Sequence, residues 1–157
     1  MERAFFASPS PGGRVACCTL SPMVKPPIMA TLVWQGDLRF SAACGSARMT
    51  MDSDGVAGPT PPQAVAMALA GCMAIDLVDI VTKGRHAIEG LETSIVGHRL
   101  NDPPCRFVRF TMHFSVKGAV PVAAVERAIE LSRDKYCTVW HSLRTDIRLD
   151  TSYEVVP

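Results

Sequence analysis

Residues 60–83 read TPPQAVAMALAGCMAIDLVDIVTK and contain the longest apolar run of the chain. Thr60 is a preferred helix N-cap residue, and Gln63 stands three positions later, as in a capping box. The two prolines between them fit the first helical turn, where a missing N–H group costs no intrahelical bond. The sequence therefore predicts a long helix that begins after Thr60 and runs to about Lys83, with Gly84 ending it.

The predicted helix is apolar around its whole circumference over its first three turns. Residues 64–75 carry no charge, and Asp76, Asp79 and Lys83 follow only afterwards. A helix of this kind is a central one, and it needs more cover than one sheet of a small domain provides. We therefore expect a homodimer with the two copies of this helix near the two-fold axis. The uncharged run is too short to cross a bilayer of about 30 Å, so no membrane partner is expected.

Short strand patterns precede this helix and longer ones follow it. Partly alternating runs at residues 31–34, 38–42 and 47–51, separated by glycine-containing turns, predict an antiparallel meander. The predicted elements after the helix are strands over about 91–100 and 106–117, an amphipathic helix over 122–136, a short helical piece over 137–143 and a strand over about 147–155. The predicted fold class is α+β, with the order β-β-β-α-β-β-α-β and helices on a curled antiparallel sheet.

Composition places the chain among globular proteins with one domain. Its 157 residues are 48% hydrophobic, which is enough for a sizeable core. A net charge of +1 and an aromatic content of 6% give no sign of a nucleic-acid partner or of attraction to an anionic membrane. Residues 1–28 are rich in Pro, Gly and Ser and are predicted to be a disordered or poorly packed extension. Residues 29–157 are predicted to form a single domain.

The cysteines are six in number, at positions 17, 18, 44, 72, 105 and 137. Residues 1–13 lack the apolar core of a signal peptide, so we expect a reducing cytoplasm rather than a disulfide framework. No C-x-x-C spacing is present, and Cys72, Cys137 and His141 have no further cysteine or histidine at ligand spacing. Neither a metal nor a cofactor is therefore expected.

Two of the cysteines stand out because of their surroundings. Cys72 lies within the apolar helix, and Cys137 follows 65 residues later, where a helical pattern ends. Such a pair fits a peroxide-reactive site, in which one thiol is oxidised to a sulfenic acid and a second condenses with it. The alternative for Cys72 is an inert core thiol, because burial without a nearby cation suppresses thiol reactivity. Cys44 and Cys105 have no pattern around them and are interpreted as unreactive.

Three segments of the sequence carry a family resemblance. They are residues 60–72, which begin Thr-Pro-Pro-Gln and end Gly-Cys, the Lys-Tyr-Cys block at 135–137, and Ser-Tyr-Glu-Val at 152–155. Together they resemble the OsmC/Ohr family of osmotically inducible and organic hydroperoxide resistance proteins, over roughly residues 30–156. The resemblance implies an intertwined homodimer with active sites at the subunit interface. It also implies a thiol-dependent peroxidase that reduces organic hydroperoxides in oxidative-stress defence.

The resemblance further implies roles for the two cysteines. Cys72 is expected to attack the distal peroxide oxygen, and Cys137 to resolve the sulfenic acid as a disulfide. An external dithiol, of lipoyl type by family analogy, would then reduce that disulfide. The two cysteines must therefore lie close enough to bond. The apolar helix around Cys72 suits an organic peroxide better than a small hydrated one.

Activation of Cys72 requires a nearby cation. In the resembled family an Arg from the N-terminal strands supplies it, and a Glu just before the cysteine helix holds that Arg. Here Pro62 stands at the position of the Glu, and Arg39 and Arg48 are both candidates for the guanidinium, with neutral Gln63 able to hold it by a hydrogen bond. Loss of the acidic residue favours an alternative, a non-enzymatic OsmC-like member that binds a small apolar ligand at its dimer interface.

Asp76 lies one helical turn after Cys72 and on the same face. An unpaired carboxylate at that place would disfavour a thiolate. We therefore expect Asp76 to cap the helix end or to pair with a basic residue.

Overall fold

The computed structural model describes residues 25–156 and shows an α+β fold. Three strands, a long helix, two strands, a helical region and a last strand follow one another, which is the predicted order. The predicted extension over residues 1–28 lies outside the described residues for positions 1–24.

The first three strands form a sheet of their own. It pairs antiparallel in the order of the chain, as the meander prediction required, and consists of β1 (Thr31–Trp34), β2 (Arg39–Cys44) and β3 (Ala47–Asp52). Gly36 and Asp37 turn the first hairpin at φ angles of 99° and 48°. Apolar side chains of this sheet are widely exposed within the chain, and Trp34 is 65% exposed. Little of the described part of the chain covers this sheet.

The long helix α1 spans Pro61–Lys83, as predicted. The Oγ1 of Thr60 accepts a hydrogen bond from the N–H of Gln63, and the Oε1 of Gln63 accepts one from the N–H of Thr60, which completes the capping box. Gly84 keeps a right-handed backbone, and Arg85, at a φ of 63°, takes the left-handed conformation instead. A Cβ at Gly84 would lie 3.2 Å from a carbonyl oxygen of the last turn, so close approach favours glycine there.

One face of α1 is buried and the other is open. The buried residues recur every four positions and therefore share a face: Leu69, Met73, Leu77 and Val81. On the other side Ile75 is 71% exposed and Met67 is 60% exposed. The first three turns of α1 are apolar all round, as predicted, but residues 25–156 cover only one of its faces.

A second sheet supports α1. It is formed by β4 (Gly90–Arg99), β5 (Phe107–Lys117) and β6 (Arg148–Val156), with β5 in the middle. Alternate residues of β5 have no exposed surface and form the core with α1: Phe110, Met112, Phe114 and Val116. This alternation is what a half-buried strand requires.

The structure differs from a single antiparallel sheet in two respects. The strands of one chain form two sheets of three strands each, and β6 runs parallel to β5. Parallel neighbours need a crossover connection, and the helical region between β5 and β6 provides it.

That helical region covers residues 122–136 as the sequence predicted, but its last turn is π-helical, and a short helix follows Cys137. It consists of α2 (Val122–Leu131), a π-helical turn (Ser132–Tyr136) and α3 (Thr138–Ser142). The N–H of Cys137 donates to the carbonyl of Ser132 at 2.8 Å, which closes the wide turn. A π-helical turn inserts an extra residue into a helix and often marks a functional site.

By length and composition alone, α1 qualifies as a membrane-spanning helix. Its most apolar window of 18 residues has a mean hydropathy of 2.1, and 22% of that window is buried in the chain. The uncharged run of residues 64–75 underestimated the length of the apolar segment, because the three charged residues of the helix lie near its C-terminal end. The central helix of a globular domain passes the same test. Here the buried face of α1 packs on the second sheet, as the central helix of a globular domain does.

Candidate active site

Cys72 and Cys137 meet although 65 residues separate them in the chain. Cys72 lies in the middle of α1, on the side that α2 and α3 pack against. Cys137 lies between the π-helical turn and α3, with an extended backbone. Their Sγ atoms lie within 4.8 Å of each other, and both cysteines are free thiols. The predicted proximity of the two thiols is confirmed.

The two thiols differ in exposure. Cys137 is fully buried, whereas Cys72 keeps part of its surface accessible. The Sγ of Cys137 also accepts a hydrogen bond of 3.4 Å from the backbone N–H of Trp140, at the start of α3. Only Cys72 of this pair is open to a molecule that approaches from outside the chain.

The electrostatic environment keeps Cys137 protonated. Burial is the largest cause, and with the neighbouring Cys72 thiol and the Asp76 carboxylate it raises the pKa of Cys137 to about 12. The hydrogen bond from the Trp140 N–H acts in the opposite direction and is outweighed. At neutral pH Cys137 is therefore a neutral thiol.

Asp76 is the third member of the site. One of its carboxylate oxygens lies within 4.8 Å of both sulfur atoms. Its Oδ2 accepts a hydrogen bond of 2.7 Å from the hydroxyl of Ser132, which has no exposed surface. The expectation that Asp76 pairs with a basic residue is not met within residues 25–156, where its partner is this hydroxyl.

Sequence reasoning missed Ser132 altogether and gave Asp76 no part in the chemistry. The spacing of four between Cys72 and Asp76 did place the carboxylate on the face of the thiol, and the structure confirms that placement. No local pattern indicates Ser132, because the bond to Asp76 spans 56 residues. The π-helical turn that directs its hydroxyl has no signature that we recognised in the sequence.

The two arginines proposed to activate Cys72 bond within their own sheet among the described residues. Arg39 Nη2 lies 3.3 Å from Asp37 Oδ2. Arg48 Nη1 donates to the carbonyl oxygens of Gly45 and Ala47, at 2.7 Å and 2.8 Å. Both side chains belong to the sheet β1–β3 rather than to the elements that surround Cys72.

Gln63 lies at the N-terminal end of α1, where its side-chain oxygen already serves the capping box. A carbonyl oxygen has a second lone pair, so the capping role leaves room for one more donor. Gln63 also lines a groove together with Arg99 of β4, which the sequence reasoning did not consider. The guanidinium of Arg99 donates from Nε to the carbonyl of Cys105 at 2.7 Å and lies over the ring of Phe107.

Metal ligation at this site would involve the two sulfurs and the Asp76 carboxylate. Among residues 25–156 this is the one group of three or more such side chains at ligating distance, and His141 is not part of it. Structural zinc sites take four protein ligands, so this set is one ligand short. Two adjacent thiols of unequal exposure suit redox chemistry more directly.

Comparison with known proteins identifies the family. The family model for OsmC-like proteins matches residues 52–152, a range that contains α1, Cys72, Cys137, β4, β5 and the first half of β6. The chain belongs to the OsmC family. It is also 36% identical over 132 residues to protein YhfA of Escherichia coli, a match that covers 82% of this chain and 98% of YhfA.

Solved structures of other proteins share the fold. A hypothetical protein from Aquifex aeolicus superposes with a TM-score of 0.78 at 21% identity, over 83% of this chain and 97% of that one. An organic hydroperoxide resistance protein from Elizabethkingia anophelis superposes with a TM-score of 0.64 at 14% identity, over 86% of this chain and all of the other. At these identities the likeness shows the fold, and membership of the OsmC family rests on the family match.

Proposed function

We propose that this chain is a cysteine-based peroxidase that reduces organic hydroperoxides with electrons from an external dithiol, in defence against oxidative stress. The observation that carries the proposal is the approach of two free thiols, Cys72 and Cys137, to within 4.8 Å. The family and a neighbour named as an organic hydroperoxide resistance protein support the substrate class. Because the proposed reaction cycle needs an external dithiol as reductant, we expect the protein to work in a reducing cytoplasm.

The roles of the two thiols follow from their exposure. The accessible Cys72 attacks the distal oxygen of the hydroperoxide, whose O–O bond breaks, and the leaving alkoxide takes up a proton to become an alcohol. Cys72 is then a sulfenic acid. The buried Cys137 condenses with it, forming a disulfide and releasing water. A dithiol, of lipoyl type by family analogy, reduces that disulfide by exchange and becomes a disulfide itself.

The active form is proposed to be a homodimer. The open face of α1 and the exposed apolar side chains of the sheet β1–β3 are surfaces that a second copy would cover. Arg39 and Arg48 lie on that same sheet. A second copy that packs this sheet against α1 would bring one guanidinium toward Cys72, where a positive charge favours the thiolate, with Gln63 as its hydrogen-bond partner.

Stopped-flow reduction of cumene hydroperoxide by the dithiol-reduced protein tests this function. Cys72→Ser is expected to abolish peroxide consumption. Cys137→Ser is expected to retain the first oxidation and to accumulate a sulfenic acid that dimedone traps. Cys105→Ser is the matched control, because Cys105 is another partly exposed free thiol and lies outside the site. Unchanged peroxide consumption in Cys72→Ser would contradict the proposal.

The bonds that Arg39 and Arg48 make within their own sheet favour a second candidate, a non-enzymatic OsmC-like protein that binds a small apolar ligand. In that case the wild-type protein would leave cumene hydroperoxide unreduced. It would instead bind cumyl alcohol, the apolar alcohol that reduction of cumene hydroperoxide would give. The affinity for cumyl alcohol would be the same in Cys72→Ser. Calorimetric titration with cumyl alcohol separates the two candidates.

A further inference from the structure

We propose that Asp76 is the proton acceptor through which Cys137 attacks the oxidised Cys72, and that Ser132 positions it. The inference rests on the proposed function, and it concerns the second chemical step, in which the disulfide forms. It gives a role to a carboxylate that stands beside two thiols without a basic partner among residues 25–156.

In the resolving step the Cys137 thiol must lose its proton. Cys137 is a fully buried thiol whose pKa is raised to about 12, so almost none of it is thiolate at neutral pH. A thiol attacks a sulfenic acid or a disulfide as its thiolate. A base within reach of Cys137 therefore makes the step much faster than spontaneous ionisation allows.

Asp76 is the base that the geometry provides. A carboxylate oxygen lies within 4.8 Å of both the sulfur that must lose a proton and the sulfur that carries the departing hydroxyl. As the S–S bond forms and the S–OH bond breaks, the proton of Cys137 passes to Asp76 and then to the departing oxygen, which leaves as water. Asp76 is a carboxylate again at the end, and one disulfide and one water have formed.

Ser132 connects the base to the thiol that it serves. Its hydroxyl donates to Oδ2 of Asp76 at 2.7 Å, and its carbonyl accepts the N–H of Cys137 at 2.8 Å. The π-helical turn that begins at Ser132 thus holds the carboxylate and the Cys137 backbone through one buried residue. A side chain that is oriented in this way loses little freedom when the proton moves.

Most of the other charged groups on the elements packed here have partners of their own. Pairs or contacts are formed by Asp79 with Lys83 on α1, Glu126 of α2 with Tyr153, Arg133 with Asp134 in the π-helical turn, and Lys135 with the ring of Tyr136. The pKa of Arg133 is raised by its bond to Asp134 and also by the charge of Glu130 of α2. The pKa of Asp134 is lowered by the same bond and also by the charge of His141 of α3. Arg127 of α2 is exposed to solvent. Among the described residues, Cys72, Asp76 and Cys137 form the one cluster of three or more Cys, His, Asp or Glu side chains within 4.8 Å of one another.

The test uses full-length protein in which the other four cysteines are serine, with Asp76→Asn compared with Asp79→Asn. Asp79 is a carboxylate on the same helix that pairs with Lys83 outside the site. In the first arm, one equivalent of cumene hydroperoxide oxidises Cys72, and quenched-flow mass spectrometry follows the sulfenic acid and the disulfide. We expect Asp76→Asn to slow disulfide formation at pH 7 by about 100-fold or more, which is the lower end of the usual range for loss of a general base.

The second arm does not depend on peroxide chemistry. Cys72 is converted to its mixed disulfide with thionitrobenzoate, and the attack of Cys137 releases the coloured thiolate. Asp76→Asn is expected to slow this release at pH 7 and to make its rate rise with pH, since hydroxide then has to generate the thiolate. Asp79→Asn is expected to match the parent protein, and Ser132→Ala to fall between the two.

The outcomes separate the two proposals. Slow release in Asp76→Asn alone supports the role of Asp76, whatever the peroxide arm shows. Release with the parent's rate and pH profile in Asp76→Asn, or equal slowing in Asp79→Asn, overturns it. Failure of peroxide to oxidise Cys72, together with slow release in Asp76→Asn, overturns the proposed peroxidase and leaves Asp76 as the proton acceptor of a thiol–disulfide exchange site.

Discussion

The hydroxyl of Ser132 donates a hydrogen bond of 2.7 Å to the carboxylate of Asp76, across 56 residues of sequence. This bond joins the central helix to the π-helical turn that leads into Cys137. The donor is fully buried, so its bond to a charged group matters for stability as well as for the orientation of the carboxylate.

Removal of this hydroxyl is expected to destabilise the fold. Ser132→Ala leaves a partly buried carboxylate without its donor, and we expect the free energy of unfolding to fall by about 1–3 kcal/mol. Urea denaturation followed by circular dichroism measures it. Ser142→Ala is the control, because its hydroxyl bonds only to a carbonyl of an exposed helical turn. Equal losses in the two variants would contradict the prediction.

The stability of the protein is expected to fall in alkaline solution because of Cys137. Burial and its neighbours raise the pKa of this thiol from 9.0 to about 12, so the folded state keeps a proton that the unfolded chain releases. The contribution is complete below about pH 9 and declines above it, by up to about 1.4 kcal/mol per pH unit.

Comparison with Cys137→Ala isolates this contribution. Other groups also titrate in this range, among them Tyr153, whose pKa the hydrogen bond to Glu126 raises, but they are common to both proteins. Urea denaturation between about pH 8 and pH 11 should therefore show the difference in unfolding free energy shrinking as pH rises. A difference that stays constant with pH would show that the thiol titrates alike in the folded and unfolded states.

The open face of α1 is expected to be a subunit interface. Ile75 is 71% exposed in the chain, and a charge placed there would be buried in a dimer. We expect sedimentation to show a dimer for the wild type and a shift toward monomer or aggregate for Ile75→Glu. Val56→Glu is the control, because Val56 is an 88% exposed loop residue. A folded wild-type monomer at micromolar concentration would refute the dimer.

One of the two N-terminal arginines is expected to activate Cys72 in that dimer. The rate of Cys72 alkylation by iodoacetamide at neutral pH should fall about tenfold or more in either Arg39→Ala or Arg48→Ala, since the thiolate is the reactive form. Peptide mapping by mass spectrometry follows Cys72 separately from the other cysteines. Arg99→Ala is the control, because this guanidinium is engaged with the Cys105 carbonyl and the Phe107 ring. Equal rates in all four proteins would favour the binding protein over the peroxidase.

The long helix and most strand positions could be predicted because their signals are local. The Thr60–Gln63 capping box and the buried stripe of α1 involve residues within a few turns of one another. The π-helical turn after Leu131 and the division into two sheets were not predicted. Both features depend on which elements pack against a segment in the tertiary structure, and the local sequence pattern of a segment does not identify those elements.

The sequence alone was enough to predict that a cysteine stands in a central apolar helix and that a second cysteine follows at a helix end. It did not determine that Cys137 is fully buried, or that Asp76 and Ser132 join the two thiols in one site. Those facts exist only in the tertiary structure, because the contacts involved span 56 and 65 residues. Sequence periodicity and capping motifs report interactions between residues that are close in the chain. The distances between the two thiols and the carboxylate, and the burial of Cys137, depend instead on how the core packs.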